Sequence, residues 1–320
     1  MKKLVLIDGN AVIHRAYHSI PKNFTNRKGE KTNALYGFAM TLVKVLEDLK
    51  PEYLATSFDL AGPTFRHKEY KEYKATRVKA DQDLYDQIPL IKEMVKNIGI
   101  PIYEKEEYEA DDVLGTITTK MEKEKIQTFV VSGDKDIFQL IGANVKVYNL
   151  RKGLSQSAIV DKEYVEKEYN LQPEDFIDLK ALAGDSSDNI PGVPGIGQVT
   201  ATKLLQKFDT LENLYEAIEK ETGSKLDDFK PRIINLLKEH KEQAFLSQKL
   251  ATICKKVPID FSLEDCLFGE YDKDKLKEVF EELGFVSLLR RFGRGKTEEI
   301  KNIRTKEQGK NDKNDQLKLL

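Results

Sequence analysis

Short apolar runs recur through the first 150 residues, at 3–7, 53–58, 100–103, 127–132 and 145–148, each bounded by polar or glycine-containing stretches. Uninterrupted apolar runs of this length predict strands covered on both faces. Between them, apolar positions fall at helical spacing over 34–49, 84–98, 110–124 and 135–141. The alternation predicts an α/β domain over 1–160, a central and mostly parallel sheet with helices on both faces. From 161 the texture changes. Helical patterns run through 161–169, 173–183, 198–207, 211–219, 229–253 and 273–291 with few strand signals, predicting a helical domain over 161–294. Residues 295–320 are polar, rich in Lys, Asn, Gln and Glu, with almost no apolar pattern; such a segment is expected to be a disordered tail or linker.

The chain of 320 residues suits two domains on length alone, and its 40% hydrophobic and 33% charged content is that of an ordinary soluble protein. A net charge of −2 says little about partners, because an acidic cluster masks basic surface elsewhere. The two cysteines, Cys254 and Cys266, stand in no metal or redox spacing and read as reduced thiols. No signal-peptide pattern opens the chain, and no stretch approaches the roughly 20 apolar residues of a membrane span. The expectation is a cytoplasmic protein with no membrane contact.

Acidic residues change the picture. Asp8 ends the run Lys3–Ile7, Asp59 follows Tyr53–Phe58, and Asp134 and Asp136 follow Thr128–Gly133. Glu109, Asp111 and Asp112 open the helical pattern at 110, while Asp185 and Asp188 follow the one ending at 183. Carboxylates at the C-terminal ends of strands in an α/β sheet converge on the ligand crevice. So many like charges repel unless cations neutralise them, and with no Cys and little His among them the fitting ion is hard, Mg²⁺ or Mn²⁺. Each acid also has a plainer reading. Asp8 suits an N-cap, acids at 109–112 suit a helix macrodipole, and Asp185–Asp188 suits a turn. Glu109 and Asp112 share a helix face, with Asp111 about 100° away from Asp112.

Two further segments point to nucleic acid. Ile190–Gly197 packs three glycines and two prolines between helical patterns, and the segment from Gln198 begins a helix whose free amides suit a phosphate oxygen. It resembles a helix-hairpin-helix, with Gly192, Gly195, Gly197, Thr200 and Lys203 as candidate contacts to duplex backbone; a simple α-turn-α link is the plainer reading. Residues 65–79 carry Arg66, Lys68, Lys71, Lys74, Arg77 and Lys79 against only Glu69 and Glu72, interleaved with Tyr70 and Tyr73. Such a stretch can track a single strand, although most charge runs are solvated helix faces. Arg15 is a phosphate-binding candidate near Asp8. His14 and His18 have i,i+4 spacing but no third ligand, and helix packing is the expected role.

These segments, with Leu6–Asn10, Ser57–Asp59, Tyr73–Arg77, Tyr108–Asp112, Ser132–Asp136 and Gly184–Gly197 occurring in that order, resemble the bacterial 5′-nuclease family. That family comprises the N-terminal 5′→3′ exonuclease domain of DNA polymerase I and stand-alone relatives, kin to flap endonucleases. The resemblance spans about 3–293. It implies a PIN-like three-layer nuclease domain followed by a helical domain bearing the hairpin. Asp8, Asp59, Glu109, Asp111 and Asp112 would serve one metal region, and Asp134, Asp136, Asp185 and Asp188 the second. Arg15 and Lys74, assisted by Arg77, would contact the scissile phosphate, and residues around 66–87, with Arg66 and Tyr73, would form a helical arch or clamp through which a free 5′ end passes. A monovalent cation, K⁺, would bridge the hairpin to phosphate. The implied reaction is two-metal hydrolysis of DNA by a monomer at 5′ flaps, nicked or gapped duplexes and RNA-primer/DNA junctions. A PIN-like ribonuclease would lack the hairpin domain, a haloacid-dehalogenase phosphatase would need Asp-x-Asp after the first strand, and a non-catalytic junction-binding module would have no use for every carboxylate.

Overall fold

The computed structural model describes residues 2–26, 29–150, 157–220 and 226–291. Six strands, β1 (Lys3–Asp8), β2 (Tyr53–Ser57), β3 (Ile102–Tyr103), β4 (Gln127–Ser132), β5 (Val145–Asn149) and β6 (Ala158–Val160), form one sheet in the order β3-β2-β1-β4-β5-β6. All neighbours run parallel except β6, which returns antiparallel along β5. Leu4, Val5, Leu6 and Ile7 of the central β1 are all sealed from solvent. The period of two sends Val5 and Ile7 into one core with Phe129 and Val131, and Leu4 and Leu6 into the other with Val130 and Val147.

The helices include α1 (Gly9–Ser19), α2 (Asn33–Leu49), α3 (Phe65–Glu69), α4 (Gln82–Ile98), α5 (Ala110–Lys123), α6 (Lys162–Tyr169), α7 (Asp175–Ala183), α8 (Gln198–Phe208), α9 (Leu211–Lys220), α10 (Pro231–Glu239), α11 (Lys241–Ala251) and α12 (Glu270–Glu282). Residues of α1, α2, α4 and α12 fill the first core, and α5 with the chain from Ile253 to Cys266 fills the second. A third core joins α7 to α11. The α/β sandwich followed by a helical unit is therefore the architecture.

Several boundaries differ from the sequence pattern. The pattern at 135–141 is a single 3-10 turn, Asp136–Leu140; its apolar residues are buried but too few to sustain a helix. The expected helix 229–253 breaks at His240 (φ −109°, ψ 25°) into α10 and α11. Residues 252–291 leave the helical unit and wrap back on the sheet: Phe268 N–H donates to Glu52, and Phe280 and Phe285 join the first core. The interval 66–87 is no continuous helical arch. It comprises the short α3, a run of turns over 71–76 and an extended stretch leading into α4. The expected tail at 295–320 lies outside the described residues.

Candidate active site

The strand order reverses between β1 and β4, and in open α/β sheets ligands bind in the crevice beyond the C-terminal ends at that switch. Asp8 ends β1 on one side, and Asp134 follows β4 on the other. Asp8 is 3% exposed; its Oδ1 accepts the Ala11 amide at 3.0 Å, capping α1, and its Oδ2 accepts the Ser132 hydroxyl at 2.7 Å. The cap thus aims the carboxylate rather than competing with a crevice role. Gly9 follows because the Phe58 ring lies where a side chain would start: a Cβ there would sit 2.2 Å from Phe58 Cε1. Asp59 is fixed from two sides, accepting the Ala110 amide at 2.7 Å and the Asn10 side-chain amide at 2.8 Å.

Asp8, Asp59, Glu109, Asp111 and Asp134 line one hollow of about 220 Å³, with Asn10, His14, Lys74 and Arg77 on the same walls. An adjoining hollow of about 640 Å³ shares Asp134 and adds Asp136, Asp185, Arg15, Lys135 and Lys180. Three carboxylates, Asp136, Asp185 and Asp188, each place an oxygen within 4.8 Å of the others. The structure therefore brings eight of the nine predicted acids to one crevice.

Electrostatics divides them. Burial, with Asp59 and Asp134 nearby, pushes Asp8 up to about 7. Burial and the charges of Asp8, Asp134 and Asp59 raise Asp111 well above the usual carboxylate range, and burial also raises Asp59. Burial and Asp134 push Asp136 up to about 6. Asp185 and Asp188 go the other way: burial opposes ionisation, but Lys180 holds Asp185 down, and Lys74 and Arg77 hold Asp188 down. Burial is the largest cause of the upward shift at Asp8, Asp59 and Asp111, and the neighbouring acids add to it.

Three expected roles are corrected. Asp112 is fully buried and faces away from the crevice. Arg66 Nη1 and Nη2 donate to its two oxygens at 2.8 Å each, and the amides of Cys254 and Glu109 complete four hydrogen bonds, the full capacity of a carboxylate. Arg66, 3% exposed, spends its remaining donors on the Leu250 and Thr252 carbonyls and, at 3.5 Å, on Glu109, and so is turned inward rather than presented to a strand. Tyr73 is 3% exposed and packs against Ile190 and Leu250, its hydroxyl donating to Glu109 and Asp188 at 3.2 Å; no base can stack on it.

Lys74 and Arg77 do overlie the carboxylates. Lys74 Nζ donates to Glu109 at 2.6 Å, and Arg77 Nη2 donates to Asp188 at 2.5 Å. Arg15 Nε donates to the Leu150 carbonyl at 2.9 Å at the edge of the larger hollow. The 185–190 loop grips the basic segment: Lys74 N–H donates to the Asp188 carbonyl, and the Asn189 amide to the Glu72 carbonyl.

In the hairpin between α7 and α8, Gly192 is packed rather than presented. It has φ +61°, a Cβ would meet Gly184 N at 2.2 Å, and its amide donates to the Ser247 hydroxyl. Gly195 and Gly197 are exposed, Gly197 is the N-cap of α8, Lys203 is exposed on that helix and Thr200 is half-buried beside the cap. Lys207 pairs with Asp228. Residues the sequence reading missed are Ser132 and Asn10, which orient Asp8 and Asp59, and Lys180, which donates to both Asp136 and Asp185. Their signal was adjacency to the acidic motifs for the first two; Lys180 had only its place one helical turn before Gly184. His14 also lines the smaller hollow.

Two family models match in succession: the 5′-3′ exonuclease N-terminal resolvase-like domain over residues 3–170, and the 5′-3′ exonuclease C-terminal SAM fold over 171–274. The chain belongs to the 5′-3′ exonuclease family. DNA polymerase I of Bacillus subtilis is 44% identical over 297 residues, covering 93% of this chain and 33% of the relative. DNA polymerase I of Bacillus caldotenax is 43% identical over 302 residues, covering 94% and 34%. The chain thus spans about a third of the length of these relatives. Among solved structures, the bacteriophage T5 5′-exonuclease with bound zinc superposes at a TM-score of 0.63 with 19% identity, covering 88% of this chain and 100% of that one. The catalytic core of Rad2 in complex with DNA substrate superposes at 0.55 with 16% identity, covering 88% of each. At these identities the likeness is one of fold. Among the described residues, no helix is long and apolar enough to cross a membrane.

Proposed function

We propose that this chain hydrolyses DNA phosphodiesters as a structure-selective 5′→3′ exonuclease and flap endonuclease, cutting near single-strand/duplex junctions in primer or flap removal. The observation that carries the reading is the convergence of Asp8, Asp59, Glu109, Asp111, Asp134, Asp136, Asp185 and Asp188 on one crevice beneath Lys74 and Arg77. The donor set is all oxygen, burial and neighbouring acids raise the pKa of both Asp8 and Asp111, and three acids meet within 4.8 Å, so hard divalent ions fit. Two such ions, Mg²⁺ with Mn²⁺ as a substitute, would neutralise this charge and supply Lewis acidity for in-line hydrolysis.

The chain's own residues would do the rest. Lys74, Arg77 and Arg15 would hold the phosphate oxygens and stabilise the charge that develops on them. Ser132 and Asn10 would keep Asp8 and Asp59 in fixed rotamers. The exposed turn of Gly195 and Gly197, with Thr200 and Lys203, would grip duplex backbone behind the cut through amides at the start of α8, with K⁺ as the candidate bridging ion. Products would be a 5′-phosphate and a 3′-hydroxyl, and no side chain is assigned as general base.

The test compares Asp134→Asn with Asp112→Asn on a 5′-labelled flap duplex in Mg²⁺. Asp134→Asn is expected to abolish cleavage while still binding the junction. Asp112→Asn is expected to keep cutting per folded molecule. Full activity in Asp134→Asn would overturn the assignment.

A further inference from the structure

The three carboxylates that meet within 4.8 Å are already served by the protein's own cations. Lys180, its side chain 18% exposed, donates to both Asp136 and Asp185. Arg77 donates to Asp188 at 2.5 Å and, through Nε, to the Ser187 carbonyl. In the other half of the crevice Glu109 is paired to Lys74 and Arg66, whereas among the described residues no ion pair reaches Asp8, Asp59 or Asp111. All three acids of the close cluster therefore hold an ion pair, and most of the acids in the other half do not.

Resting on the nuclease reading above, we infer that Lys180, with Arg77, is an exchangeable counter-cation of the Asp136–Asp185–Asp188 cluster, displaced when a divalent ion enters and freed to face the substrate phosphates. A carboxylate oxygen bridging to an ammonium has few remaining lone pairs for a metal, and like charges this close repel strongly. An ion entering the cluster must push the Lys180 ammonium out of its bonds. Lys180 stands on the wall of the larger hollow with Arg15, so its displacement adds a cation where a strand's phosphates would pass. Ion binding and DNA binding would thereby be linked through one side chain. By contrast the Asp8–Asp111 group would fill first, because nothing has to leave it.

The test is direct Mn²⁺ binding to the full chain, read as loss of the free-ion electron paramagnetic resonance signal, with no DNA and no turnover. Wild type is expected to bind two ions of unequal affinity. Lys180→Met is expected to tighten the weaker site by about tenfold or more, since the competing charge is gone, and to leave the tighter site unchanged. Its thermal midpoint in EDTA should fall and be restored by Mn²⁺. Lys180→Arg, which keeps the charge, should bind Mn²⁺ as wild type does, and is the variant to rely on if the methionine variant does not fold. An unchanged or weakened second site in Lys180→Met, or a tightened one in Lys180→Arg, overturns the exchange while leaving the nuclease reading intact. Absence of a second Mn²⁺ in wild type, with Asp185→Asn changing nothing, would overturn both.

Discussion

Replacing Asp112 by Asn separates a structural acid from the ones that face the crevice. Asp112 is fully buried and balances Arg66, whose guanidinium ties α3 to the start of α5 and, through the Leu250 and Thr252 carbonyls, to the end of α11. An asparagine keeps the shape but removes the charge, and its Nδ2 faces N–H groups that need an acceptor. Breaking one side of a buried, hydrogen-bonded pair costs about 3–5 kcal/mol, because the remaining charge is left unbalanced. At roughly 2–4 °C per kcal/mol for larger domains, the thermal midpoint should fall on the order of 10 °C. The assay is thermal or urea unfolding in EDTA, so that metal affinity cannot enter. The paired change Arg66→Met with Asp112→Leu removes both charges but leaves the Cys254 and Glu109 amides and the Leu250 and Thr252 carbonyls unpaired, so it should recover only part of the loss. Wild-type stability in Asp112→Asn together with lost Mn²⁺ binding would refute the reasoning and return Asp112 to the ligand set.

Metal-free stability should depend on pH through Asp8: its folded pKa of about 7 lies above the ordinary 3.8, so the folded state holds a proton the unfolded chain releases. Stability should therefore fall as pH rises from 6 to 8, on the order of 1 kcal/mol from Asp8, with the raised Asp111 and Asp136 acting in the same direction, and Asp8→Asn should reduce that slope; a midpoint that rises with pH would contradict it. His14, lowered by desolvation, His18 and Arg77, works the other way below about pH 6.5, so the upper half of the window is the cleaner one. Gly9→Ala should cost about 1–3 kcal/mol by forcing Phe58 aside, measurable by urea unfolding, and no loss would mean the ring moves freely. Lys203→Ala should weaken duplex binding and lower its salt slope by about 1 without changing cleavage at saturating DNA, which fluorescence anisotropy at several salt concentrations would check.

What could be read from sequence was whatever depends on neighbours in the chain. Four sealed residues before Asp8, and the same pattern before Asp134, announce strands and place both acids at strand ends. The crevice follows from that placement alone. Long-range pairing left no such trace. Arg66 and Asp112 are 46 residues apart, and nothing local distinguishes Asp112 from its crevice-facing neighbour Asp111; one step around the helix separates them. Tyr73 and Arg66 read as surface because their segment is cationic, yet the fold turns these two inward and leaves Val78, 94% exposed, facing out. Neither Pro nor Gly marks the break at His240, and the return of 252–291 to the sheet depends on Phe280 and Phe285 finding a core begun at Val5, near the start of the chain.

The most direct test of the central claim is the fate of a 5′-labelled flap duplex incubated with the wild-type chain in Mg²⁺ and, in parallel, in EDTA. Release of the flap or short 5′ products near the junction is expected in Mg²⁺ only, leaving ligatable 5′-phosphate ends on the duplex. Tight junction binding with no product in either condition would contradict it and make the chain a binding module whose acidic crevice does something else.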